Sequence, residues 1–147
     1  MKRIRTPFCD IKSEIPIISV TLSNGEKTLA LVDSGSETTL IDKDFIVKNR
    51  KVFKVSKSKD TGTLTGLNSK NEYVVVLADT YIQLEGTKQY FPLHGTIYPM
   101  DFVVKSLKEC YGIEPKILIG SDTLHEYNAE LNYEKRELII KHDTSGK

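Results

Sequence analysis

Cysteine is scarce in this chain and charge of either sign is balanced. Cys9 and Cys110 are the two cysteines, far apart and without CxxC or Cys/His spacing. That excludes a disulfide framework and a cysteine-based zinc site, and makes a reducing compartment the expectation. His94, His125 and His142 are dispersed and share no ligand spacing with cysteines or carboxylates, so no metal is expected. Aromatic residues make up 8% of the chain and are scattered, which leaves no platform for stacking nucleic-acid bases. A net charge of +1 argues against a general binder of nucleic acid or of anionic membranes. No apolar run approaches membrane-spanning length, and the basic start Met1-Lys2-Arg3-Ile4-Arg5-Thr6-Pro7 is not followed by the apolar stretch of a signal peptide. The expectation is a cytoplasmic protein, of a cell or of a virus replicating in one.

What is present suits one soluble domain: 147 residues, 39% hydrophobic and 28% charged. Short β-prone runs dominate. Ile15 to Leu22 and Lys27 to Val32 flank Ser23-Asn24-Gly25-Glu26, whose Asn-Gly pair predicts a two-residue hairpin turn. Asp42 is placed to cap a brief helix to about Asn49, and Asp44 and Asp122 also read as helix caps. Val52 to Ser56 alternates like a strand, and a polar stretch from Lys57 to Asn71 predicts a hairpin with its tip at Gly66, Leu67, Asn68 and Ser69. The lysines between Lys48 and Lys59 read as a solvated face. Further strands are expected at Tyr73 to Leu77, Thr80 to Leu84 and Asp101 to Val104. Pro92, Gly95 and Pro99 interrupt the stretch before the last of these, and a helical turn follows at Ser106 to Gly112. Ile117-Leu118-Ile119 reads as a buried strand closed by Gly120, followed by a helical turn and a final hairpin from Ala129 to Ile140. Many short strands without long alternating helices favour a closed or orthogonally packed β-barrel.

One position carries chemistry. Leu29-Ala30-Leu31-Val32 ends in Asp33, passes through Ser34-Gly35, and resumes as a β-prone run to Ile41. A carboxylate between buried strands is costly unless it is hydrogen-bonded or shares a proton. Taken alone, Asp33-Ser34-Gly35 also reads as an ordinary Asx turn.

Leu31-Val32-Asp33-Ser34-Gly35-Ser36 resembles the apolar-Asp-Thr/Ser-Gly motif of the retropepsins, the single-domain aspartic proteases of retroviruses and their relatives. Ile117-Leu118-Ile119-Gly120 resembles their second motif, with the polar hairpin between the two where that family has its flap. The resemblance implies a mainly β, retropepsin-like closed barrel over residues 15–141, with a flap-like hairpin and one or two short helices. Residues 1–14 would be an arm and 142–147 a tail. It implies an aspartic endopeptidase without metal or cofactor, in which two carboxylates share one proton. Because the chain carries one such motif pair, a homodimer would assemble the dyad from two copies of Asp33. Its substrate would be a peptide or a polyprotein of a virus, phage or mobile element. Ser34 would link the two active-site loops, Gly35 would admit backbone beside the dyad, Gly120 would lie against the Asp33 loop where a side chain would clash, and the Ser36 hydroxyl would donate to the Asp33 carboxylate. Gly66, Leu67, Asn68 and Ser69 would cover the substrate.

Asp60-Thr61-Gly62 spells the same signature, but it opens from Lys57-Ser58-Lys59 instead of a buried strand, and it reads as a solvated turn. The alternative to an enzyme is a catalytically silent structural or assembly protein of a virus or phage particle, located in the virion and contacting its other structural proteins. Arg3 to Cys9, Tyr90 to Met100 and the tail after Ile140 exceed a minimal protease and would serve that role.

Overall fold

The computed structural model describes residues 2–10, 15–66 and 69–142. The chain starts with β1 (Lys2–Pro7), β2 (Ile17–Leu22), β3 (Lys27–Val32) and β4 (Leu40–Asp42), followed by α1 (Lys43–Lys48) and a 3-10 turn at Arg50–Val52. The long strands β5 (Lys54–Gly66) and β6 (Ser69–Leu84) come next, then β7 (Tyr90–Tyr98), α2 (Asp101–Tyr111), β8 (Ile117–Ile119) and α3 (Ser121–Glu126). The hairpin β9 (Ala129–Asn132) and β10 (Glu137–His142) ends the described chain. The larger sheet runs β2-β3-β8-β4-β7-β6-β5, and an added β2–β6 pairing closes its first six strands into a barrel, with β5 left at the edge. The smaller sheet is β1-β10-β9.

The first hairpin has a three-residue loop, not the two-residue turn its Asn-Gly pair suggests. The Leu22 N–H donates to the Glu26 carbonyl and the Gly25 N–H donates back to Leu22, with Gly25 at φ +89. A type I turn closed by a left-handed residue fits the twist of the strands, and glycine adopts that conformation without a Cβ penalty. Asp42 caps α1 as expected, its Oδ2 accepting from the Phe45 N–H at 3.1 Å. The other oxygen accepts from the Met100 N–H at 3.0 Å, so one buried carboxylate holds the starts of both α1 and α2.

Three stretches differ from the sequence expectation. Residues 2–7, read as an arm, pair antiparallel with β10 from Lys2↔His142 to Pro7↔Glu137. Ile4, Thr6 and Phe8 are buried, so strand alternation sends this face into the core. Tyr90–Tyr98 is continuous strand despite Pro92 and Gly95. Pro92 sits opposite Tyr81, and its carbonyl points away from β6 to accept from the Tyr127 hydroxyl, so its missing N–H falls on the side without a ladder. Gly95 gives its space to Ile41, whose Cγ1 would lie 2.7 Å from an added Cβ. Finally, Asp101 to Val104 is the first turn of α2, not a strand. Met100, Val103, Val104 and Leu107 repeat at helical spacing, and Gly112 at φ +69 ends the helix with its N–H on the Lys108 carbonyl.

Two apolar clusters flank the central strands. Ala30, Val32, Ile41, Ile117 and Ile119 face the larger one, inside the barrel. Leu29, Leu31, Leu40 and Leu118 face the other, which α2 covers with Met100, Val104 and Leu107. Burial on both faces explains why β8 is apolar throughout. No helix among the described residues is long and apolar enough to cross a membrane.

Candidate active site

β3 and β8 run parallel, with Val32 beside Ile119, and the ladder extends one step past β3 through the Asp33 N–H to the Ile119 carbonyl at 2.9 Å. Asp33 therefore starts its loop from a fixed strand end, partly exposed. In strand alternation position 33 follows Leu29 and Leu31, on the α2 side of the sheet. The Gly35 N–H donates to Asp33 Oδ1 at 3.0 Å, and the Ser36 N–H donates to the Asp33 carbonyl at 3.1 Å. This is an Asx turn, so the ordinary reading of Asp-Ser-Gly describes its local geometry. It orients the carboxylate through one oxygen. Asp33 Oδ2 makes no hydrogen bond among the described residues.

Gly120 lies against this loop. A Cβ at position 120 would stand 2.7 Å from the Thr38 backbone carbon and oxygen and 2.8 Å from the Ser36 carbonyl oxygen, so only glycine fits. The adjacent Ser121 N–H donates to the Ser36 carbonyl at 2.7 Å, stitching the start of α3 to the loop. The Ser36 hydroxyl donates to the Thr38 carbonyl at 2.9 Å. The expected bond from Ser36 to the Asp33 carboxylate is thus replaced by one that closes the loop on itself. Gly35 is placed with an added Cβ 3.3 Å from Asp33 Oδ1. Ser34 is exposed and lines a cavity of about 650 Å³ with Ser121, Leu124 and His125 of α3.

The residue that organises the clasp was not singled out from sequence. Thr39 is fully buried, and its N–H and hydroxyl both reach Asp122, at 3.1 Å to Oδ2 and 2.6 Å to Oδ1. Because that hydroxyl's single proton goes to the carboxylate, Thr39 Oγ1 accepts from the Gly120 N–H at 3.1 Å and from the Thr123 hydroxyl at 2.6 Å. Asp122 is not at the cap position of α3, which Gly120 occupies without a side-chain bond, but its Oδ1 also accepts from the first-turn Thr123 N–H at 2.7 Å, so it both satisfies the start of α3 and ties it to the Asp33 loop. A buried hydroxyl that accepts twice and donates once has no spare capacity, which keeps the loop in one arrangement. The signal available in sequence was an isolated Thr-Thr pair after Glu37 and an acid two residues beyond Gly120. Neither is distinctive.

The second signature triplet lies elsewhere. Thr61 pairs with Val74 and Gly62 with Tyr73 inside the β5–β6 hairpin, and a register shift falls between Lys57 and Thr61. Asp60-Thr61-Gly62 is therefore strand and irregularity, not a turn. At the hairpin end Gly66 pairs with Ser69, while Leu67 and Asn68 lie outside the described residues. His94 is exposed, with Nδ1 at 2.7 Å from Asp79 and Nε2 at 3.8 Å from Glu126. Among the described residues no group of three His, Cys, Asp or Glu side chains is placed to hold a metal.

No protein-family model matches the chain, and no curated protein matches it. Solved structures do. The retroviral protease-like domain of Ddi1 from Leishmania major superposes with a TM-score of 0.56 at 17% identity, over 90% of this chain and 92% of that one. A retropepsin-like aspartic protease from Rickettsia conorii superposes with a TM-score of 0.53 at 16% identity, over 95% of this chain and 89% of that one. The closed barrel is thus a shared architecture: the chain has the retropepsin-like aspartic protease fold.

Proposed function

We propose that this protein is an aspartic endopeptidase acting as a homodimer, with one Asp33 from each copy in its catalytic dyad. The observation that carries this reading is the clasp at the end of β3. Asp33 is partly exposed, one oxygen is held by the Gly35 N–H, and its loop is pinned by Gly120, where a Cβ would meet backbone at 2.7 Å. Asp122 supplies no second acid, because both of its oxygens are engaged by Thr39. The dyad partner then comes from a second copy, across a two-fold axis.

Two carboxylates about 3 Å apart do not both ionise, so one is a base and the other an acid near neutral pH. The ionised Asp33 takes a proton from water as that water's oxygen bonds to the scissile carbonyl carbon, and the protonated Asp33 gives its proton to the carbonyl oxygen. Collapse of the tetrahedral species breaks the C–N bond: the proton held by the base passes to the leaving amine, and the other Asp33 takes back a proton from a hydroxyl of the diol, which restores the singly protonated dyad. Each Asp33 thereby alternates between acid and base. The β5–β6 hairpin, with Gly66 and Ser69 at its end, is the element we assign to cover the peptide.

A peptide-library digest tests the reading, using Asp33→Asn as the control together with a pepstatin-like inhibitor. Cleavage that disappears in the variant, is blocked by the inhibitor and falls in specific activity as the protein is diluted supports it. Cleavage that survives Asp33→Asn overturns it.

A further inference from the structure

Away from the Asp33 loop, α1 and the base of the long hairpin enclose a groove of about 520 Å³. Its walls are branched and apolar: Ile46 and Val47 from α1, Val55 from β5, Val76 from β6 and Ile97 from β7. Ile46 and Ile97 belong to the main core, but Val47 and Val55 remain 57% and 52% exposed. Neighbouring branched residues left half in water at the mouth of a concave surface mark a contact site more often than an isolated exposed valine does.

The charge around the mouth has one sign. Lys43 and Arg50 line the groove, and Lys57 sits directly across the ladder from Val76, hence on the groove-side face of β5. None of these three cations makes an ion pair among the described residues, whereas Lys48, on the same helix, is already paired with Glu26. Asp44 is the acid next to Lys43, and it does not line the groove. Lys43 opens α1 and Arg50 opens the 3-10 turn that follows it, so the two cations reach the groove from separate elements. Cations spread in this way suit a ligand with several separated anionic groups, not a single carboxylate on a hydrocarbon chain. The backbone points the same way: β5 pairs with β6 alone and forms the edge of its sheet. An edge strand offers N–H and C=O groups to an extended peptide.

We propose that this groove is a docking site for an acidic peptide segment, whose branched or aromatic side chains enter between Val47 and Val55 while its carboxylates meet Lys43, Arg50 and Lys57. Docking there braces α1 against the base of the hairpin. None of these residues belongs to the Asp33 loop, so the proposal stands or falls apart from the cleavage chemistry.

Fluorescence anisotropy on the full chain tests it, with a labelled probe peptide Glu-Asp-Leu-Glu-Phe-Glu-Leu-Asp. Two control peptides replace either all its acids by lysine or its apolar residues by serine. The expected result is saturable binding of the probe alone, weakened at least about tenfold by Lys43→Glu with Arg50→Glu, weakened by Val47→Ser and by added salt, and unchanged by Asp33→Asn. The charge reversals are at exposed positions and keep the test valid if Val47→Ser lowers the melting temperature. Equal binding of the lysine peptide, no saturation at millimolar concentration, or indifference to the charge reversals overturns the proposal. So does a Val47→Ser variant that loses self-association in sedimentation, or one that loses binding to phosphatidylserine vesicles, since the occupant would then be a second copy or a membrane.

Discussion

Asp33-Ser34-Gly35 and Asp60-Thr61-Gly62 are near-identical triplets in different physical settings. The first begins where a buried strand ends. Its aspartate N–H completes the β3–β8 ladder, its glycine N–H turns back onto the carboxylate, and Gly120 and Thr39 close on it from behind. The second lies along the long hairpin, with Thr61 and Gly62 in ordinary antiparallel pairs beyond a register shift. A carboxylate becomes useful for chemistry when the surrounding backbone allows it one position, and a triplet of residue types does not supply that by itself. The clasp does.

The largest expected difference between the two triplets is catalytic. Asp33→Asn lowers peptide cleavage by about three orders of magnitude or more, while Asp60→Asn stays within about twofold of the parent in the same assay. The reverse outcome would exchange their roles. Next in size is the clasp itself. Gly120→Ala forces a Cβ against backbone of Thr38 and Ser36 and costs about 3 kcal/mol in urea unfolding, because backbone has no rotamer by which to yield. Thr39→Val should cost about 1–3 kcal/mol by leaving the Gly120 N–H and Asp122 without their shared partner, and Thr39→Ser should recover most of that. If valine is tolerated as well as serine, the hydroxyl network is not what holds the loop.

A smaller effect appears at alkaline pH. Burial, with a lesser contribution from the Glu126 charge, pushes the Tyr127 phenol well above its ordinary value, and its hydroxyl donates to the Pro92 carbonyl. With the folded value above the unfolded one of about 10, the neutral phenol's contribution to stability is complete below that pH and is lost as pH rises beyond it. Tyr127→Phe, followed by unfolding at a series of alkaline pH values, should therefore show a shallower decline than the parent; an identical slope would refute this. Smallest of all, Ser36→Ala removes a bond to the Thr38 carbonyl, not to the Asp33 carboxylate, so it should cost no more than about 1 kcal/mol and leave the pH optimum of cleavage in place. A displaced optimum would restore the expectation drawn from the resemblance.

Local chemistry was legible where a residue type has one strong conformational reason to be present. Asp42 before Phe45-Ile46 reads as a cap and is one, and the apolar run Ile117 to Ile119 reads as a buried strand and is one. The misreadings occurred where local signals competed with partners distant in sequence. Pro92 and Gly95 look like breakers, yet Pro92 turns its ladder-less side to Tyr127 and Gly95 yields room to Ile41. Asp101 to Val104 looks β-prone in isolation, but the spacing that continues to Leu107 is helical, and Leu31, Leu40 and Leu118 provide the surface that the helix covers. The polar start of the chain concealed Ile4 and Phe8, whose burial depends on β10 more than a hundred residues later.

Alternation, turn residues and apolar runs act over a few neighbouring positions, and they suffice for the β-rich class of the chain, the order of its two motifs and one aspartate at the end of an apolar strand. It takes the folded barrel to bring Thr39, Gly120 and Asp122 together around that aspartate's loop and to lay α2 over the second apolar cluster. Those outcomes depend on contacts across some eighty residues of chain, as between Thr39 and Asp122, and such contacts exist only once the barrel has closed.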